Sequence, residues 1–212
     1  MPTRNARIAA ALAAIVAWAA LVLQLALMVH RIEAQGHSLA FALWRYVGYF
    51  TILTNTGGAI VATLMALRPA SRLAGPRARL IAATAIIAVG IVYSVALRHA
   101  WQPNGWQTVA DHALHDVTPF LFLIAWLLFP HGSLRWRDGL SATVPALAYC
   151  AYTFSRGAMD GWYPYYFLDP TQLPLVFLLS SMAILFFVFL IIGMLLAAAD
   201  RVKVRRKGSA PA

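Results

Sequence analysis

Six apolar runs of membrane-spanning length divide this chain, and segments of that kind have few ways to fold other than as helices across a bilayer. They fall at about 8–29, 41–67, 80–97, 110–129, 139–154 and 171–199. The first follows a short basic stretch and reads as a signal anchor, since a cleaved leader would have an apolar core of only ~7–15 residues. Composition agrees: of 212 residues 61% are hydrophobic and 11% charged. That share of charge is about half that of a soluble domain. The expectation is an all-α polytopic membrane protein, one six-helix bundle over 1–212 with no repeat and no second domain.

The positive charges set the expected orientation. Arg4, Arg7, Arg68, Arg72, Arg77, Arg79, Arg135, Arg137, Arg201, Lys203, Arg205, Arg206 and Lys207 fall on one side of six spans. Only Arg31, Arg45, Arg98 and Arg156 fall on the other. Positive residues collect in the cytoplasm, so both termini are expected there, with the basic tail 200–212 against anionic lipid. Because these charges lie between apolar runs and not on one folded face, they speak against nucleic acid. The single cysteine, Cys150, excludes an internal disulfide framework and a cysteine-based zinc site. Short basic loops and Ala-rich spans suggest a bacterial cytoplasmic (inner) membrane.

The fourth run, ADHALHDVTPFLFLIAWLLF, breaks the apolar pattern. Asp111, His112, His115 and Asp116 lie in its first two turns, and ionisable groups within a span by default mark function. Spacing i,i+4 pairs Asp111 with His115 and His112 with Asp116. A carboxylate beside each imidazole fixes its tautomer and raises its basicity. The second run carries YFTILTNTGG, in which Thr51, Thr54, Asn55 and Gly58 share one helical face. Both runs enter from the outer side, so Thr51 and Asn55 can face His115 at similar depth if the two helices are neighbours. Taken alone, Thr51 reads as interhelical hydrogen-bonding glue, and Gly57 and Gly58 as packing residues. Pro119 and Pro145 are expected to kink their helices. Tyr93 and Ser94 could line the same cavity, and Trp162, Tyr163, Tyr165 and Tyr166 read as an interfacial belt first and as a substrate mouth second.

The segments YFTILTN, DHALHDVTPF and GWYPYYFLDP, in this order, resemble the androgen-induced gene family, which includes the androgen-dependent TFPI-regulating protein, and its bacterial six-span relatives. Characterised members are intramembrane threonine hydrolases that cleave fatty acid esters of hydroxy fatty acids. The resemblance implies Thr51 as nucleophile, His115 as base and His112 as a supporting histidine. Two features differ from the animal pattern: Pro119 follows His115 by one residue fewer, and Asp111 and Asp116 add carboxylates.

As a hydrolase the chemistry runs through a threonine hydroxyl activated by a neutral imidazole. Asp111 or Asp116 would orient that ring. Asn55, one turn from Thr51, is the local candidate for an oxyanion donor. The expected partners are membrane lipids and a hydrophobic ester, with no cofactor. Two other classes use the same cluster: a metal-dependent membrane enzyme with His and Asp ligands, and a transporter, proton relay or sensor. Four ligands on one helix cannot surround a metal, and neither a broken-helix pair nor a repeated half marks a transporter.

Overall fold

A computed structural model describes residues 1–132 and 134–208, and side chains as far as Val202. The tail side chains of Lys203, Arg205, Arg206 and Lys207 thus lie outside the described residues. The chain is all-helical, 79% helix, with no strand among the described residues. Four helices are long and apolar enough to cross a membrane: Arg4–Ala34, Phe50–Leu67, Pro76–Leu97 and Leu175–Val202.

Helix α1 (Arg4–Ala34) starts at Thr3, whose hydroxyl accepts from the Ala6 N–H. Its buried face is a stripe of alanines: Ala6, Ala10, Ala13, Ala14, Ala17 and Ala20. Small side chains let helix backbones approach closely, and α1 packs along α3 (Phe50–Leu67) and α6 (Thr118–Leu128). With α4 (Pro76–Val92) these helices form the core, where Met65, Leu80, Ile86, Phe122 and Trp126 are fully buried. Helix α9 (Leu175–Gly208) lies against α4 and against the short α7 (Trp136–Ser141). Only 28% of the most apolar window of α1, and 11% of that of α9, is buried within the protein. The rest, including Ile15, Val22, Phe187 and Ile191, faces outward. A bilayer is the solvent that accepts such a surface.

The run at 41–67 is not one helix. Helix α2 (Leu39–Tyr46) ends, and α3 begins after the N-cap Tyr49. The break has a tertiary cause in α8 (Val144–Asp160). Tyr149 and Tyr152 donate their hydroxyls to the carbonyls of Gly48 (2.9 Å) and Val47 (3.0 Å), and Arg156 donates to that of Trp44 at 2.6 Å. In a continuous helix the Val47 and Gly48 carbonyls would accept from Thr51 and Ile52. A side chain at Gly48 would meet Trp162 at 2.6 Å, so only glycine fits between the two.

The fourth run is helical from 106 to 128 but in three parts: α5 (Trp106–His112), a π turn (Ala113–Val117) and α6. A second π turn, Tyr93–Leu97, ends α4 beside it. Pro145 stands in the first turn of α8, where no intrahelical N–H is needed, so it begins a helix and does not kink one, whereas Pro119 stands just beyond the π turn within the rod 106–128. Gly58 is a packing residue, since a Cβ there would meet Ile86 at 2.0 Å, whereas one at Gly57 would meet nothing within 4 Å.

Candidate active site

Breaking the helix at 47–49 makes Thr51 the second residue of α3. The first N–H groups of a helix have no intrahelical acceptor, and the N-terminus carries the positive end of the macrodipole. With the Val47 carbonyl taken by Tyr152, the Thr51 N–H points instead at the Tyr165 hydroxyl oxygen, 3.4 Å away.

His115 reaches Thr51 from the π turn. Its Nδ1 lies 2.9 Å from the Asp111 carbonyl oxygen. A carbonyl only accepts, so Nδ1 carries the proton and Nε2 is left as the acceptor. That Nε2 is 3.3 Å from Thr51 Oγ1. Asp111 Oδ1 is 3.4 Å from Nδ1, on the side of the ring away from Thr51. Asp111 itself is buried, and Tyr93 donates its hydroxyl to the other carboxylate oxygen at 2.7 Å. The Tyr93 ring stacks on the imidazole with centroids 3.7 Å apart and 11° between planes. Gly90 permits this approach of α4, because a Cβ there would come within 2.7 Å of the His115 carbonyl oxygen. Both π turns therefore meet at one level. Such bulges re-aim side chains and recur at functional sites.

The other residues singled out in the sequence lie elsewhere. His112 and Asp116 pair with each other at 2.6 Å, and Arg98 reaches Asp116 at 2.5 Å. This network is part-exposed, and among the described residues no hydrogen bond or ion pair joins its side chains to Thr51 or His115. Asn55 is fully buried and donates Nδ2 to the Thr51 carbonyl at 2.9 Å, within its own helix. Its Oδ1 has no partner, and Asn55 does not line the cavity that holds the pair.

That cavity measures about 300 Å³. Besides Thr51 and His115 it is walled by Asp111, Tyr93 and Tyr165, with Gln24, Arg31 and Gln107 on its polar side. Arg31 donates to Gln107 at 3.1 Å, and Gln107 to Gln24 at 2.7 Å. A narrower apolar cavity lies behind Thr51 and shares Thr51, Tyr93, Leu97 and Tyr165 as its wall. Tyr165, in the segment between α8 and α9, stands beside Thr51, a placement that its sequence pattern does not distinguish from those of Trp162, Tyr163 and Tyr166. Burial pushes its phenol up to about 12, so at neutral pH it remains an O–H donor. Its only sequence signal is membership of an aromatic cluster. Among the described residues no three His, Cys, Asp or Glu side chains gather as metal ligands.

Chemically the arrangement offers a hydroxyl against an imidazole acceptor, an oriented ring, and two donors beside the hydroxyl. Comparison of the chain with family models, curated proteins and solved structures finds no match.

Proposed function

We propose that this protein is an intramembrane hydrolase that cleaves a lipid ester with Thr51 as nucleophile and His115 as base. The observation that carries this is the 3.3 Å approach of Thr51 Oγ1 to an Nε2 whose ring is fixed through Nδ1. As Oγ1 attacks the ester carbonyl carbon, its proton passes to Nε2. The carbonyl oxygen, now an oxyanion, replaces the Tyr165 hydroxyl oxygen as acceptor of the Thr51 N–H and accepts from the Tyr165 hydroxyl as well. Collapse breaks the bond to the alcohol oxygen, which takes the proton back from Nε2, and water repeats the steps to free the acid from Thr51. One oxyanion donor is typically worth ~3–4 kcal/mol of barrier. A helix N-terminus adds stabilisation of the same sign.

The wider reading is a six-span protein of a bacterial cytoplasmic membrane with both termini inside. Support comes from the charge distribution: Arg31, Arg45, Arg98 and Arg156 lie at the end holding the site, and Arg4, Arg7, Arg68, Arg72, Arg77, Arg79, Arg135, Arg137 and Arg201 at the opposite end. The rods 106–128 and 144–160 supply the two further crossings. The site then sits in the outer leaflet, at the depth of an ester below the headgroups. The resemblance of YFTILTN and DHALHDVTPF to a threonine hydrolase family points the same way, with Thr51 and His115 at the matching positions.

Turnover of a medium-chain p-nitrophenyl ester by detergent-purified protein tests the reading. Thr51→Ala and His115→Ala should each lower kcat by at least about a thousandfold, since each removes one member of a pair that acts as a unit. Wild-type turnover in both variants would sink it.

A further inference from the structure

Between α3, α4 and α8 runs an apolar groove of about 470 Å³. It lies one turn of α3 beyond Thr51 and shares Phe50 and Tyr149 with the narrow cavity behind that residue. From Phe50 to Val61 it follows α3 for about 16 Å at 1.5 Å per residue. That is about half of the ~30 Å hydrocarbon thickness, the depth one leaflet's acyl chains occupy.

The polar side chains on its wall are already committed. Thr54 donates to the Phe50 carbonyl at 2.8 Å, Tyr149 to Gly48 at 2.9 Å and Tyr152 to Val47 at 3.0 Å. What they leave exposed to the groove is hydrocarbon: Leu53, Val61, Ile81, Ala82, Ala85 and Ala148. A polar ligand or water would find no free donor there, whereas an alkyl chain needs none.

From this we propose that the groove holds the acyl chain of the ester cleaved at Thr51, and that Gly57 sets the chain length accepted. The inference rests on the hydrolase reading above. The chain leaves the carbonyl at Thr51 and enters the groove past the Phe50–Tyr149 pair, whose rings are packed together with centroids 4.7 Å apart and must swing aside to admit it. Gly57 lies on this path with nothing within 4 Å of where its Cβ would stand, although its neighbour Gly58 is packed against Ile86. A Cβ at Gly57 therefore stands in open space on the groove wall, and a larger side chain there takes up groove volume. Replacing a mid-helix glycine also favours the helix, so lost activity would not reflect unfolding.

The test compares p-nitrophenyl butyrate with p-nitrophenyl myristate on wild type, Gly57→Ala, Gly57→Phe and Thr51→Ala, all as the full chain in detergent. Gly57→Phe should lower the myristate-to-butyrate ratio of kcat/KM at least about tenfold. A loss of that size follows if two or more methylenes, each worth ~0.8 kcal/mol, leave the groove. Gly57→Ala should fall between. Thr51-dependent turnover with an unchanged myristate-to-butyrate ratio in Gly57→Phe would overturn the groove and leave the hydrolase reading standing. Equal turnover by Thr51→Ala would overturn both.

Discussion

Tyr165 contributes a single hydroxyl to the site, and that group can be removed with little disturbance. Its ring stacks on Phe167 at 5.4 Å and edges against Tyr149, contacts that phenylalanine keeps. Tyr165→Phe should lower kcat about a hundred- to a thousandfold with little change in KM. Its affinity for a boronate mimic of the tetrahedral intermediate should fall in parallel, which a purely structural role would not produce. His112 gives the opposite expectation, because it is exposed and bonded only to Asp116. His112→Ala should keep turnover within about threefold of wild type, and a loss comparable to that of His115→Ala would contradict the placement. At this scale the sequence is informative about Thr51 and His115, since a hydroxyl and an imidazole in spans are chemically conspicuous. It is silent on Tyr165, which resembles any interfacial aromatic until the chain folds over α3. It also misdirects at Asn55: its i,i+4 distance from Thr51 suits an oxyanion donor equally well and the hydrogen bond to the Thr51 carbonyl that it makes.

Two distortions of helices build the site, and neither follows from local sequence. The α2–α3 break depends on donors about 100 residues away in Tyr149, Tyr152 and Arg156, which remove carbonyls from the helix ladder. A pattern of apolar residues through 41–67 cannot register that competition. The π turn at 93–97 inserts its extra residue without a proline, and the only local marker of the one at 113–117 is Pro119 just beyond it, which has no N–H for the ladder. Gly90 shows how they depend on each other, because the His115 carbonyl lies where its Cβ would be. Gly90→Ala must push the two turns apart by several tenths of an ångström. We expect kcat to fall more than about tenfold while the thermal midpoint changes by only a few degrees, since misplacement of about 1 Å is costly to catalysis. Unchanged kcat would mean that the His115–Thr51 distance tolerates such a shift.

Across the whole molecule, the helical class and the apolar exterior were legible in the sequence because the bilayer imposes them on composition and run length. Packing was legible only in part: the alanine stripe marks the buried face of α1, but nothing in 139–154 reveals that α8 stands off from α3 and α4 to leave a groove. The end opposite the site is held by charge. Asp138 accepts from the Arg135 N–H at 2.7 Å at the start of α7 and pairs with Arg77. That backbone bond first, and the Arg77 guanidinium after it, hold its carboxyl below the usual carboxylate range. A lowered folded pKa stabilises above the unfolded value and is lost as pH falls through the folded one. Asp138→Asn, whose amide oxygen can still accept from the Arg135 N–H, should therefore cost at most about 1 kcal/mol at neutral pH, from the lost charge on that bond, since Arg77 is largely exposed. The gap between variant and wild type should close only below the ordinary carboxylate range. A gap that persists at those pH values would assign the effect to packing.

The most direct measurement is to trap the acyl-enzyme. Purified protein would be quenched during turnover of an activated ester and digested, and the adduct located by mass spectrometry. The account predicts an acyl group on the Thr51 peptide of wild type, much less in His115→Ala and none in Thr51→Ala. An adduct on another residue, or turnover in Thr51→Ala equal to wild type, would contradict it.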